Sequence, residues 1–176
     1  MREIDLLGYL IGFWVNRGAQ NRENSTREIS PDQQQLPEAI STRTITDIAF
    51  ISECRNIPLS LNFIQMPWGI EAAQIQDKLA MMSYLGYIRP NGSKFSWYFD
   101  KNLDWMRSRI SKDDPKALIR INSTLEIISR YDDDELTKLV KVLSQRIMGE
   151  GTAKHPEAYN ELSDVYQETI KQLVDQ

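Results

Sequence analysis

Hydrophobic residues recur at Ile4, Leu7, Ile11 and Trp14, with Leu10 and Val15 beside them. That spacing of three and four marks one face of a helix and predicts residues 3–16 as helical. From Asn16 to Thr44 the pattern lapses. Asn, Gln, Ser, Arg and Glu dominate and two prolines interrupt, so residues 16–43 read as a polar linker or loop, with a short helix near Asp32–Ala39. Periodicity returns at Thr44, where Ile45, Ile48, Ala49 and Ser52 share a helical face that runs to about Arg55. Asn56-Ile57-Pro58 breaks it. Leu59, Leu61 and Phe63 then alternate as in an extended segment, and Pro67-Trp68-Gly69 is a turn.

A second helix is predicted from Ile70 to about Tyr84, with Ile75, Leu79, Met82 and Leu85 on its inner stripe. Gly86 closes it, because glycine takes a positive φ without steric cost. Tyr87-Ile88-Arg89, the turn Pro90-Asn91-Gly92-Ser93, and Lys94 to Phe99 form a hairpin with Asn-Gly at its tip. Phe95, Trp97 and Phe99 alternate there with Ser96 and Tyr98, and these aromatics, with Trp105, read as core beneath the hairpin. Beyond it the chain is helical. Leu103, Met106 and Ile110 form one stretch. Asp113-Asp114-Pro115 starts the next, faced by Leu118, Ile121, Leu125 and Ile128. Asp132–Glu135 opens a third, with Leu136, Leu139, Val140, Leu143 and Ile147 inside and Gly149 at its end. A last helix is expected from Pro156, through Tyr159, Leu162, Val165, Ile170 and Leu173.

The expected fold is therefore mainly α with a small β-hairpin. Residues 1–15 form an apolar helix, 16–43 the linker, 44–100 a winged-helix-like core, and 101–176 a helical C-terminal extension. In a winged helix the helix before the hairpin is braced from behind, which leaves its outer face free to enter a DNA major groove while the hairpin lies along the backbone. On such a face Gln74 suits adenine and Lys78 suits phosphate or guanine. Arg89, Asn91, Ser93 and Lys94 at the wing suit phosphates, whereas Glu71 and Asp77 oppose DNA. Charge does not favour it either: nine Lys and Arg stand against ten Asp and Glu in residues 1–99, and twelve against fifteen in 100–176. Docking onto a protein is accordingly the leading reading, and a DNA-binding regulator, dimeric in form, is the alternative.

The run Thr46-Asp47-Ile48-Ala49-Phe50-Ile51, followed by Leu61-Asn62-Phe63, Pro67-Trp68-Gly69-Ile70-Glu71 and Leu79 to Ile88 (LAMMSYLGYI), resembles the core of the Panacea or SocA-like proteins. These are prokaryotic and phage-associated antitoxins and proteolytic adaptors. The chain departs from their pattern at Asp47, where a basic or polar residue is usual, and at Trp68-Gly69-Ile70, which replaces Gly-Pro-aromatic. The resemblance covers residues 46–88 and implies a non-catalytic role with a toxin, protease or complex subunit as partner. Independently of it, Phe13 and Trp14 on the apolar first helix, Trp68 in its turn, Met81 on the second helix and Tyr98 on the hairpin are the candidate partner-binding residues. Burial of the first helix by a partner or by a second copy is expected.

Other chemistry is sparse. With one cysteine, Cys54, neither a disulfide framework nor a cysteine-rich zinc site is available. Cys54 reads as a small buried residue. His155, the single histidine, precedes Pro156-Glu157 and reads as the start of a helix; no nucleophile-elbow pattern accompanies it. Asp132-Asp133-Asp134-Glu135 lacks the spacing of a calcium loop and is explained by capping and by the helix dipole. The glycines are scattered and make no phosphate loop. No catalytic residue, metal or cofactor is expected. Leu6 to Val15 is too short to span a membrane, and acidic Glu3 and Asp5 flank it where a secretory leader needs basic residues. A cytoplasmic protein is expected, and the Asn24, Asn91 and Asn122 sequons are then chance matches.

Overall fold

The computed structural model describes residues 3–23, 39–97, 100–148 and 153–154. In chain order the elements are α1 (Glu3–Glu23), β1 (Ala39–Ser41), α2 (Thr42–Cys54), β2 (Phe63–Met66), β3 (Gly69–Ala72), α3 (Ile75–Tyr84), β4 (Ile88–Asn91) and β5 (Lys94–Trp97). Then follow α4 (Asp100–Asp113), α5 (Pro115–Ile128), α6 (Asp133–Met148) and β6 (Ala153–Lys154). Among the described residues the protein is mainly helical, with two small antiparallel sheets of strand order β1-β5-β4 and β3-β2-β6.

Helix α2 lies at the centre. Ser41 caps it, its hydroxyl accepting from the Thr44 N–H at 3.0 Å, as a serine at that position should. Every residue from Thr44 to Cys54 is buried, not only the predicted Ile45–Ile48–Ala49–Ser52 face, because α1, α5, α6 and β3 pack around it. The buried set therefore includes Asp47 and Glu53, which the sequence pattern assigns to solvent. Their burial is tolerated because each carboxylate is bonded to polar groups.

Helix α1 continues to Glu23, past the predicted end at Asn16 and into the expected linker, which β1 and the first turn of α2 shorten further from the other side. Leu6, Leu7, Leu10 and Ile11 are buried in the same core as α2 and α5. Each such side chain is worth about 1.5–3 kcal/mol on burial, so α1 is integral to the fold and these side chains need no partner to cover them. Two glycines permit its close approach. Gly8 faces Met106 and Tyr87, and Gly12 faces Trp97 and Leu103, in each case too near for an unhindered Cβ.

Between α2 and α3 the structure differs from the sequence reading. The Pro67-Trp68 turn is present, but residues 69–72 form β3 and hairpin back onto β2, pairing Gln65 with Ile70 and Phe63 with Ala72. The sequence Ile70-Glu71-Ala72 buries its first and third residues and exposes the second, a period of two that the longer apolar stripe beyond it disguises. Helix α3 begins only at Ile75. It ends as expected: Gly86 has φ +77°, its N–H donates to the Ser83 carbonyl, and the Tyr87 N–H donates to that of Met82.

The α3–hairpin unit stands as the periodicity predicts, with β4 and β5 antiparallel and β4 packed beside α3. Asn91 and Lys94 are paired, so the turn residues are Gly92 and Ser93 and the positive φ of +61° falls on Gly92. The tight turn is Gly-Ser, not Asn-Gly. Strand β1 pairs with β5, and β6 adds to β2 through Phe63 and Ile64. Helices α4, α5 and α6 are where expected. Pro115 opens α5, and the Asp114 carboxylate accepts the Ala117 N–H at 3.0 Å. They share one core with α1 and α2 and are not an appended extension. Trp105, expected beneath the hairpin, is instead nearly half exposed, with the Arg109 guanidinium 4.7 Å above its ring. The expected last helix from Pro156, residues 32–38 of the short helix, Tyr98, Phe99, Gly149 and His155 lie outside the described residues.

Candidate docking face on the third helix

Helix α3 buries Ile75, Leu79 and Met82. On its outward side Asp77, Ala80, Met81 and Tyr84 are all exposed, and their i, i+3, i+4, i+7 spacing makes them neighbours. Tyr84 is 87% exposed and Met81 52%, and Leu85 extends the surface at the helix end. Apolar side chains clustered on one exposed face mark a binding surface more than scattered ones do. The only cation of α3 is Lys78, and it turns away from this face: its Nζ lies 2.5 Å from Glu3 Oε2, with the side chain mostly covered. The Glu3 carboxyl is correspondingly held below its usual range. Burial pushes it up, but the bonds from Lys78 and Ser60 and the lysine charge outweigh burial.

Gln74, at the start of α3, accepts the Asn62 N–H through Oε1 at 2.9 Å. Glu71 sits on β3, not on the helix, and accepts from Trp68 Nε1 at 3.0 Å. Gln74 and Lys78, expected together on a groove-facing side of the helix, are therefore not presented there, and Glu71 is not on the helix. Arg89, Asn91, Ser93 and Lys94 are exposed together on the β4–β5 hairpin, where Asn91 Nδ2 donates to Ser96 Oγ at 3.1 Å.

Of the candidate partner-binding residues, Met81 belongs to the α3 face. Trp68 is 57% exposed at the β2–β3 turn; its indole is held by Glu71 and its carbonyl accepts from Arg43 Nη2 at 2.9 Å. Phe13 is partly exposed on α1, while Trp14 packs against the core. Tyr98 lies outside the described residues. Ala80, Tyr84 and Leu85 are members of the face that the sequence reading missed. The signal was present, since Tyr84 stands three residues after Met81 and opposite the inner stripe, but Leu85 follows Met82 by three residues and so was counted with that stripe.

Among the described residues, several groups that invite a catalytic reading are buried or bonded within the fold. Burial pushes the Cys54 thiol well up. Asp132 and Glu135 cap α6 reciprocally, the Glu135 N–H donating to Asp132 Oδ1 at 2.8 Å and the Asp132 N–H to Glu135 Oε2 at 3.1 Å. Asp47 accepts from Thr137 Oγ1 at 2.7 Å and lies 3.4 Å from Arg43 Nε; burial raises its carboxyl in spite of both. Among the described residues no three His, Cys, Asp or Glu side chains are grouped to hold a metal, and no helix is long and apolar enough to cross a membrane. No protein-family model matches the chain, and no curated protein matches it.

Proposed function

We propose that this chain is a non-catalytic protein-interaction module in which a winged-helix-like unit presents α3 to a protein partner. The observation that carries the reading is the outward side of α3: it offers Met81, Tyr84 and Leu85 to solvent while its one cation is spent on Glu3. A groove-reading helix needs the opposite arrangement, cations outward and apolar groups inward. An amphipathic helix with anchors at i, i+3 and i+4 is instead a common protein-docking element. The order β1-α2-α3-β4-β5, with β1 paired to β5, supports the winged-helix comparison. The β2–β3 hairpin occupies the place of the usual interhelical turn. From the resemblance over residues 46–88 the specific role proposed is antitoxin- or adaptor-like, acting in the cytoplasm without a cofactor on a toxin, a protease or a complex subunit.

A DNA-binding regulator is the second reading, favoured by Arg89, Asn91, Ser93 and Lys94 standing together on the hairpin. Affinity capture with the full chain separates the two. Met81→Asp and Tyr84→Asp are at exposed positions and are expected to leave the fold intact, which circular dichroism checks. Each is expected to lose the specific partner, because truncating an anchor at an interface centre costs about 2 kcal/mol or more. Lys94→Ala is expected to keep it. Retention of duplex DNA at low salt that Lys94→Ala abolishes, with partner capture indifferent to Met81→Asp and Tyr84→Asp, would overturn the docking reading in favour of the regulator.

A further inference from the structure

The segment joining α2 to β2 is held from two sides by carboxylates. From below, buried Glu53 accepts the Leu59 N–H at 2.9 Å and the Leu61 N–H at 3.1 Å on the same oxygen, Oε1. From above, Glu3 of α1 accepts from the hydroxyl of Ser60, the residue between them, and from Lys78 of α3. Asn56, just past the end of α2, has φ +59°, which asparagine tolerates there, whereas Ser60 has φ +53°, which a serine adopts less readily. Asn62, which follows Leu61, is tied to Gln74, the residue that caps the start of α3. One short segment thus connects a buried acid on α2 to the base of the docking helix.

The charges acting on Glu53 are Glu3 from α1, which repels it, and Lys78 from α3, which attracts it; the Cys54 thiol stands beside it on α2. Helices α5 and α6 meet α2 elsewhere, at Arg55 through Ser123 and Thr124, and at Asp47 through Thr137. Glu3 and Glu53 share one lysine, and their environments drive them apart. Glu3 is stabilised as the anion. Burial pushes Glu53 up to about 7, against the two backbone N–H groups that favour its charge.

We propose that Glu53 is a proton-controlled latch on α3: when it loses its proton the 57–62 segment loosens, and the seat of the docking helix loosens with it. The inference rests on the docking role of α3 and adds its regulation. The physical reason is that a bare carboxylate in this pocket faces a second carboxylate and little water. Opening the segment hydrates it, so ionisation favours the open form, whereas the protonated form still accepts both N–H groups through its carbonyl oxygen.

Native-state hydrogen exchange on the full chain tests this without a partner. After correction for intrinsic exchange, protection of the Leu59, Leu61 and Asn62 amides and of the Lys78 amide is expected to fall by roughly a hundredfold between about pH 4.5 and pH 7. Glu53→Gln, which keeps a carbonyl acceptor and cannot ionise, should flatten the profile. Glu3→Gln, which removes a repelling charge and frees Lys78 for Glu53, should move the wild-type curve to lower pH, so the idea stays testable even where Glu53→Gln fails to fold. Protection independent of pH in the wild type would overturn the proposal. So would loosening at Leu59 and Leu61 that never reaches Asn62 and Lys78. Failure of Met81→Asp and Tyr84→Asp to affect partner capture would remove the docking reading alone and leave these exchange results standing.

Discussion

Gly12→Ala probes how closely α1 is seated. A Cβ at this position would lie 2.4 Å from Cζ2 and 2.5 Å from Cε2 of Trp97, and 2.7 Å from Cδ2 of Leu103. Carbon atoms in contact sit about 3.5–4.0 Å apart, so the added methyl overlaps a buried indole by about 1 Å. Trp97 belongs to β5 and pairs with Ile88, so the ring cannot retreat without moving the sheet. Overpacking of this kind costs about 3 kcal/mol at the upper end of its usual range. Replacing glycine by alanine within a helix returns about 1 kcal/mol. The net expected loss is about 2 kcal/mol, or roughly 4–8 °C in Tm for a chain of this size. Gly8→Ala is the internal control. It has the same propensity gain, but its Cβ would lie 3.1 Å from Met106 Cε and 3.3 Å from Tyr87 Cδ2, and a methionine tip yields easily. It should leave stability near the wild-type value. Denaturant unfolding followed by circular dichroism on the two variants reads the difference, and equal midpoints for both would show that α1 does not pack against Trp97 as described.

Three further outcomes follow from the buried charges and the β2–β3 turn. Asp47→Ala should cost about 1–2 kcal/mol in denaturant unfolding, because it removes the acceptor of the half-buried Thr137 hydroxyl and the charge beside Arg43; Asp47→Asn, which keeps an acceptor for Thr137, should cost less, and equal losses would count against the Thr137 bond. Gly69→Ala should cost about 1–3 kcal/mol, since φ is +141° there and the new Cβ would lie 1.8 Å from Arg43 Nη2, displacing the guanidinium from the Trp68 carbonyl; a neutral effect on Tm would refute the backbone assignment. Glu53 has a folded value near 7 against 4.5 for the free side chain, so the folded state holds its proton longer. Its contribution is complete below pH 4.5 and is lost as pH rises to about 7, a fall of about 3 kcal/mol. Unfolding free energies measured across that interval should decline in the wild type and not in Glu53→Gln.

Local chemistry was legible wherever it acts within a few residues. Asp114 as a cap, Pro115 in a first turn, the acids Asp132–Glu135 at a helix start and Gly86 as a terminator each act on the adjacent turn, so the bare chain announces them. The α3–hairpin pairing was legible for the same reason, since the inner stripe of α3 and the alternation of β5 each fall within a dozen residues. What depended on distant neighbours was not. Residues 69–72 become a strand because β2 offers them a pairing edge, and helical spacing on their far side hides that alternative. Asp47 and Glu53 look like surface acids until four other elements close around α2.

By itself the sequence determined the central part of each described helix, the start of α5 and α6 and the end of α3, and that a hairpin follows a helix braced from behind. Only the tertiary structure decided that α1 is core and not an appendage, and that Lys78 faces Glu3 and leaves the outer side of α3 to Met81 and Tyr84. Caps and periodicity depend on spacing along one chain segment. Burial, ion pairing and the chemistry left on a surface depend on which segments meet, and that is settled when the whole core closes.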